Sequence, residues 1–228
     1  MLLYLIRHAQ SQRNAGVPGA PVDCSLTELG QRQATAVAQR LAELGVDYVV
    51  ASPYVRALET ADFICRATGA PASVVPLLRE HHVDPWGQVD WPFLSRTALA
   101  ERFPEFRLPA GFGFDPEWFD VPETDEEVLR RARNVLRELW ETYAASADGD
   151  KDVSLAVVSH GAPTGKLVMA ALGLPSLQDT AVRIDNASIS IVEYFPQLCV
   201  LVASNRIDHL AHLGVNLAKE DPGYPIPR

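Results

Sequence analysis

The chain has 228 residues, 47% hydrophobic and 21% charged, with a formal net charge of −9 at pH 7. That length suits one large domain, or one core carrying an insertion, and the composition excludes global disorder and fibrous repeats. The acidic balance argues against a nucleic-acid groove, which needs a basic footprint.

Leu2 to Ile6 is an apolar run without polar alternation, the pattern of a strand covered on both faces. It is too short for a signal h-region and runs into Arg7-His8. Thr27-Glu28-Leu29-Gly30 opens an amphipathic segment, predicting a helix over 27–44 that Gly45 stops. Val46 to Ala51 reads as the next strand, ended by Ser52-Pro53, and Arg56 to Thr68 as a helix closed by Gly69. Ser73 to Pro76 is a third strand, and Leu77-Leu78-Arg79-Glu80 leads away from it.

Between about 85 and 122 the texture changes, with three of the four Trp, six of the eight Phe and repeated Pro. This is expected to be a cap inserted into a single domain spanning 1–228. Thr124-Asp-Glu-Glu127 is a capping box opening a helix to about Ala145. Val153 to Ser159 is a buried strand followed at once by His160-Gly161, and an apolar helix is expected from Gly165 to Leu172. Residues 188–195 and 198–203 read as a final antiparallel pair, and the tail from about 216 is expected to be mobile. The fold class is therefore α/β, a three-layer α/β/α sandwich with a mostly parallel sheet and an antiparallel edge.

Cys24, Cys65 and Cys199 are odd in number and widely spaced, as in a reduced, cytoplasmic protein. No apolar stretch reaches the ~18 residues of a membrane span.

Three β-to-α junctions end in polar residues that a buried sheet does not require: Arg7-His8, Ser52 through Arg56, and His160-Gly161. Ligands of open α/β sheets bind outside the carboxyl ends of the strands, so two His and two Arg should converge there. Such a set fits a phosphoryl group. Arg presents a planar fork of donors to phosphate oxygens, a His beside two guanidinium groups is held neutral and can attack phosphorus, and the second His can donate to the transferring oxygens. Glu80 can carry the proton for the leaving alcohol. No metal or other cofactor is needed.

Leu5-Ile-Arg-His-Ala-Gln-Ser11 with Asn14, Leu26-Thr-Glu-Leu-Gly-Gln31, Ala51-Ser-Pro-Tyr-Val-Arg56-Ala, and Val157-Val-Ser-His160-Gly161 together resemble the histidine phosphatase superfamily, the phosphoglycerate mutase-like proteins. The resemblance implies that His8 becomes phosphohistidine, that Arg7, Arg56 and His160 form the phosphate pocket, and that Asn14 and the Gly161 backbone add donors. Glu80 sits where the family's larger branch keeps its proton donor. The second histidine is followed by Gly161 rather than the Asp of the acid phosphatase and phytase branch, which places the chain in the larger, mutase-like branch. It departs from the family at Ala9-Gln10, where Gly-Glu is commonest. After the acid, His81-His82-Val-Asp84-Pro-Trp86-Gly87 replaces the usual Gly-x-Trp-Glu-Gly, which leaves Asp84 and His82 as alternative donors.

Three functions fit these residues. The favoured one is a metal-independent phosphatase acting on a small phosphorylated metabolite. The second is a phosphoglycerate mutase, disfavoured because the insertion carries only Arg96, Arg102 and Arg107, scattered among acids. The third is a non-catalytic phospho-ligand binding module. Neither nucleic acid nor membrane is expected as a partner, and the state is expected to be a monomer or homodimer. His81-His82 and His209-x-x-His212 are read as structural or solvent-facing rather than as metal ligands.

Overall fold

The computed structural model describes residues 1–81, 94–110, 122–144, 152–176, 181–195 and 197–214. Along the chain these form β1 (Leu2–Arg7), α1 (Glu28–Leu44), β2 (Tyr48–Ala51), α2 (Val55–Thr68), β3 (Ala72–Val74), α3 (Arg96–Arg102), β4 (Phe106–Arg107), α4 (Asp125–Leu139), β5 (Ser154–Ser159), α5 (Gly161–Ala171), β6 (Ile189–Phe195) and β7 (Leu198–Arg206). The strands make one sheet in the order β4-β3-β2-β5-β1-β6-β7. β1 through β5 pair in parallel, whereas β6 runs antiparallel to both β1 and β7.

The three layers follow from strand alternation. Tyr4 and Ile6 of β1 join a core with α1 and α2 residues such as Val37, Leu41, Leu58 and Ile64. Leu3 and Leu5 point the other way, into a core with Val135, Leu136 and Leu139 of α4 and Leu167 and Val168 of α5. Both faces of β1 and β5 are thus covered, which is why these strands read as unbroken apolar runs.

The helix ends are chemically specified. Thr27 accepts from the Gly30 N–H at 3.0 Å at the start of α1, and Gly45, at φ +81°, ends it in a backbone region that suits glycine. Thr124 and Glu127 form the reciprocal capping box at the start of α4. Gly30 is also a packing requirement, because a Cβ there would sit 2.1 Å from the Gln10 carbonyl oxygen. Gly30→Ala is therefore expected to cost about 2 kcal/mol or more, read as a lowered Tm in thermal unfolding. An unchanged Tm would contradict the close approach.

Several element bounds differ from the sequence expectation. α5 begins at Gly161 rather than Gly165, because His160 is the N-cap residue and Pro163 lies in the first turn, where its missing N–H is not needed. The strand expected over 73–76 ends at Val74, and Pro76 starts a 3-10 turn to Leu78. The helix expected to reach 145 is α-helical to Leu139 and continues as a π-helical turn over Trp140–Ala144. Within the expected insertion, β4 extends the sheet beside β3, and Leu99, Phe103 and Phe106 join the core on the α1 side. Trp86, Trp91 and Trp118 lie outside the described residues, as does the tail from 215. No helix among the described residues is long and apolar enough to cross a membrane.

Candidate active site

β2, β5 and β1 are neighbours, and their register decides which residues meet. Arg7 pairs with Ser159 and Ala51 with Val158, so His8, His160 and Ser52, each one step beyond, share the carboxyl edge of the sheet. The ladder extends to them: the His8 N–H donates to Ser159 O and the Ser52 N–H to Val158 O, both at 2.9 Å.

His8 is buried, and its Nδ1 lies 2.8 Å from the Ala9 carbonyl oxygen. A carbonyl only accepts, so the ring proton is on Nδ1 and Nε2 keeps its lone pair. Arg56 Nε donates to that Nε2 at 3.2 Å. Burial first, then the Arg56 and Arg7 charges, hold the His8 pKa well below its ordinary 6.5, so the ring is neutral.

The other groups surround this nitrogen. Arg56, in the first turn of α2, donates to Val22 O at 3.2 Å and lies over the Tyr54 ring at 4.6 Å. The His160 ring meets that of His8 edge-on at 5.2 Å, and Tyr54 closes its other side at 4.8 Å. His160 Nε2 is 2.7 Å from Ser52 Oγ, while its Nδ1 is 3.5 Å from Glu80 Oε2. The same Glu80 oxygen is 3.6 Å from Arg56 Nη2. Arg7 donates from Nη1 to Ile184 O at 2.8 Å. Its guanidinium lies against the N-terminus of α5, where a Cβ on Gly161 would be 3.4 Å from Arg7 Cζ. Glycine there lets the guanidinium approach a helix end that favours anions.

Arg7, His8, Arg56, Glu80, His160 and Gly161 thus share one corner. Asn14 is tied into the loop after β1, its Oδ1 accepting from Ser11 Oγ at 2.9 Å and from Asn186 Nδ2 at 3.2 Å. Asp84 and His82, the alternative donors, lie outside the described residues.

A family model described as histidine phosphatase superfamily, branch 1, matches residues 3–207. The chain belongs to this superfamily. It is 32% identical over 202 residues to the probable phosphoglycerate mutase GpmB of Cronobacter sakazakii, covering 84% of each chain. It is 32% identical over 200 residues to the probable mutase of the same name from Erwinia tasmaniensis, again at 84% of each. Among solved structures, a mycobacterial glucosyl-3-phosphoglycerate phosphatase bound to VO3 matches at 26% identity and TM-score 0.64, over 90% of this chain and 99% of that one. A structure called mycobacterial hydrolase 1 matches at 27% identity and TM-score 0.64, over 90% and 98%. The superfamily assignment agrees with the expected larger branch and with the α/β fold.

Four contributors to this corner were not picked out as site residues from the sequence. Ser52 meets His160, and Tyr54 packs on both His160 and Arg56. Asn186 donates to the His8 carbonyl at 2.9 Å, and Ile184 supplies the carbonyl for Arg7. Ser52 had a signal, a hydroxyl at a strand's carboxyl end. Asn186 had none, because only the pairing of Ile189 with Ile6 carries its loop to the end of β1.

His8, Glu80 and His160 offer three ligand atoms within 4.8 Å of one another, a spacing that a cation could use. Arg56, however, donates to His8 Nε2 and lies beside Glu80, and Arg7 adds a second guanidinium close enough to depress the His8 pKa. The field in this corner suits an anion. Of the other histidines considered for metal binding, His81 faces the Glu123 carbonyl at 2.7 Å and His209 that of Ala187 at 2.9 Å, and His82 lies outside the described residues.

Asp23 buttresses the corner from behind, accepting the Val55 N–H at 2.8 Å at the head of α2. Burial raises its pKa from 3.8 to about 7, against the lowering influence of Arg56. A carboxyl whose pKa rises on folding contributes stability at low pH that is lost as pH climbs toward the folded value. The Tm of the wild type is thus expected to fall relative to that of Asp23→Asn between about pH 4 and pH 7, a window set by those two values. Parallel Tm profiles would contradict it.

Proposed function

We propose that this protein is a metal-independent phosphatase that hydrolyses a small phosphomonoester through a phosphohistidine on His8. The observation that carries the proposal is the locked tautomer: Nδ1–H is held by the Ala9 carbonyl, and Nε2 faces Arg56 with His160 and Glu80 close by. Nε2 attacks phosphorus while the bond to the ester oxygen breaks, and Glu80 in its acid form gives that oxygen its proton. Arg7, Arg56, His160 and the N-terminus of α5 at Gly161 hold the equatorial oxygens as charge builds. In the second step Glu80, now a carboxylate, takes a proton from water as the water oxygen attacks. The P–N bond breaks, and His8 and the Glu80 acid are regenerated with release of phosphate. Asn14 supports this pocket through its bond to Asn186.

The mutase reading is favoured by the names of the curated relatives. Against it stand the basic residues of the insertion, since Arg96 donates to Pro109 O and Arg102 pairs with Glu59. These contacts turn two of its three arginines toward the protein's own groups. The test is phosphate release from a panel of phosphomonoesters, with and without chelator, beside a mutase assay primed with a bisphosphoglycerate. Chelator-resistant release is expected. Isomerisation without net release would establish the mutase, and neither activity would leave a binding module.

The neutral state of His8 makes a further expectation. Because its pKa lies well below 6.5, the acid limb of kcat/KM attributable to this group falls well below pH 6.5. A loss of activity centred at 6.5 that follows His8 protonation in NMR titration would contradict the assignment.

A further inference from the structure

We propose that Glu123 is the positioning residue for Glu80, holding it where it can protonate the leaving oxygen; this rests on the role given to Glu80 above. Glu80 is poorly held by its own carboxylate. Among the described residues Oε2 makes only the 3.5 Å and 3.6 Å approaches to His160 and Arg56, and Oε1 accepts from the adjacent His81 N–H at 3.0 Å. Its place is set by its neighbours, and both are attached to Glu123. The Arg79 guanidinium pairs with Glu123 Oε2, and His81 Nε2–H donates to the Glu123 carbonyl at 2.7 Å.

Glu123 is itself clamped by Arg131 of α4, which donates from Nε to Oε1 and from Nη2 to Oε2, each at 2.8 Å. Arg131 Nη1 also donates to Leu77 O at 2.6 Å and Arg79 O at 3.0 Å. This side-chain pair therefore grips the backbone before Glu80 and the Arg79 side chain, while the Glu123 main chain holds His81 on the other side. The Glu123 and Arg131 side chains are 9% and 8% exposed, so the grip is shielded from water. A carboxylate between two guanidinium groups gives this joint directional, charge-assisted bonds, and it ties the acid-bearing turn to the head of α4.

The test compares wild type, Glu80→Gln, Glu123→Gln and Glu123→Asp on two esters, p-nitrophenyl phosphate and glycerol phosphate. The first leaves as a stabilised phenolate and needs little protonation, whereas the second leaves as an alkoxide and needs the acid. kcat/KM is the readout because it reports the first, phosphorylating step and is blind to later hydrolysis. Glu123→Gln is expected to lower kcat/KM on glycerol phosphate by roughly tenfold to a hundredfold, with a several-fold smaller loss on the aryl ester. Glu80→Gln should show the same asymmetry more strongly, and Glu123→Asp should recover part of the alkyl-ester rate.

Glu123→Gln leaves two buried guanidinium groups less compensated, so His81→Ala serves as a second probe; it keeps all three charges and should show a milder asymmetry. Equal losses on both esters, or none, in folded Glu123→Gln and His81→Ala while Glu80→Gln stays asymmetric would overturn the positioning role alone. Absence of asymmetry in Glu80→Gln would overturn the donor assignment on which it rests.

Discussion

His8→Ala is expected to lower phosphomonoester turnover on the order of 10⁴-fold or more, because the proposed covalent intermediate forms on this ring. Nε2 is the ring nitrogen of His8 that carries the lone pair, since the Nδ1 proton is engaged with Ala9 O, and the buried Arg56 Nε donates to it until a phosphoryl group takes its place. The wild type, quenched in alkali after brief exposure to labelled substrate, should carry acid-labile phosphate, and His8→Ala should carry none. The variant loses a buried ring, so its Tm must be measured alongside to confirm that it folds. A folded His8→Ala enzyme with near-normal turnover would eliminate the phosphohistidine mechanism and leave a different nucleophile to be found.

Arg56 carries the second largest effect. It donates to His8, anchors on Val22 O, lies beside Glu80 and covers Tyr54. Arg56→Ala is expected to reduce kcat/KM by about 10²–10³-fold, the scale for removing one transition-state donor. Arg56→Lys should restore only part, since an ammonium keeps the charge and loses the planar fork. The pH profile separates electrostatics from packing. Arg56 is one of the groups that lower the His8 pKa, so removing it lets that pKa rise toward 6.5 and moves the acid limb to higher pH. An acid limb that stays in place in Arg56→Ala would mean that Arg56 does not tune His8.

The sheet was legible because burial on both faces makes β1 and β5 read as apolar runs, and the polar residues that interrupt them mark the strand ends. Arg7, His8 and His160 were readable for the same reason: a polar group at the end of a core strand has no packing explanation, and Arg56 follows in the first turn of the helix after β2. The contents of the insertion were harder. Phe103 and Phe106 belong to the main core and β4 to the sheet edge, but a two-residue strand has no periodicity to detect. The start of α5 was misplaced by four residues because Pro163 looks like a breaker until His160 is recognised as its cap.

By itself, the sequence determined the α/β class, the superfamily and the residue types that gather at the strand ends, since each depends on local pattern and on the chemistry of side chains. Only the tertiary structure decided that Ser52, Tyr54, Ile184 and Asn186 complete the corner, and that Glu123 and Arg131 grip the turn bearing Glu80. Those contacts join segments far apart in the chain, and one-dimensional spacing carries no information about which strand lies beside which. Register supplies it: once Arg7 stands opposite Ser159 and Ala51 opposite Val158, the two histidines have no other place to be than side by side.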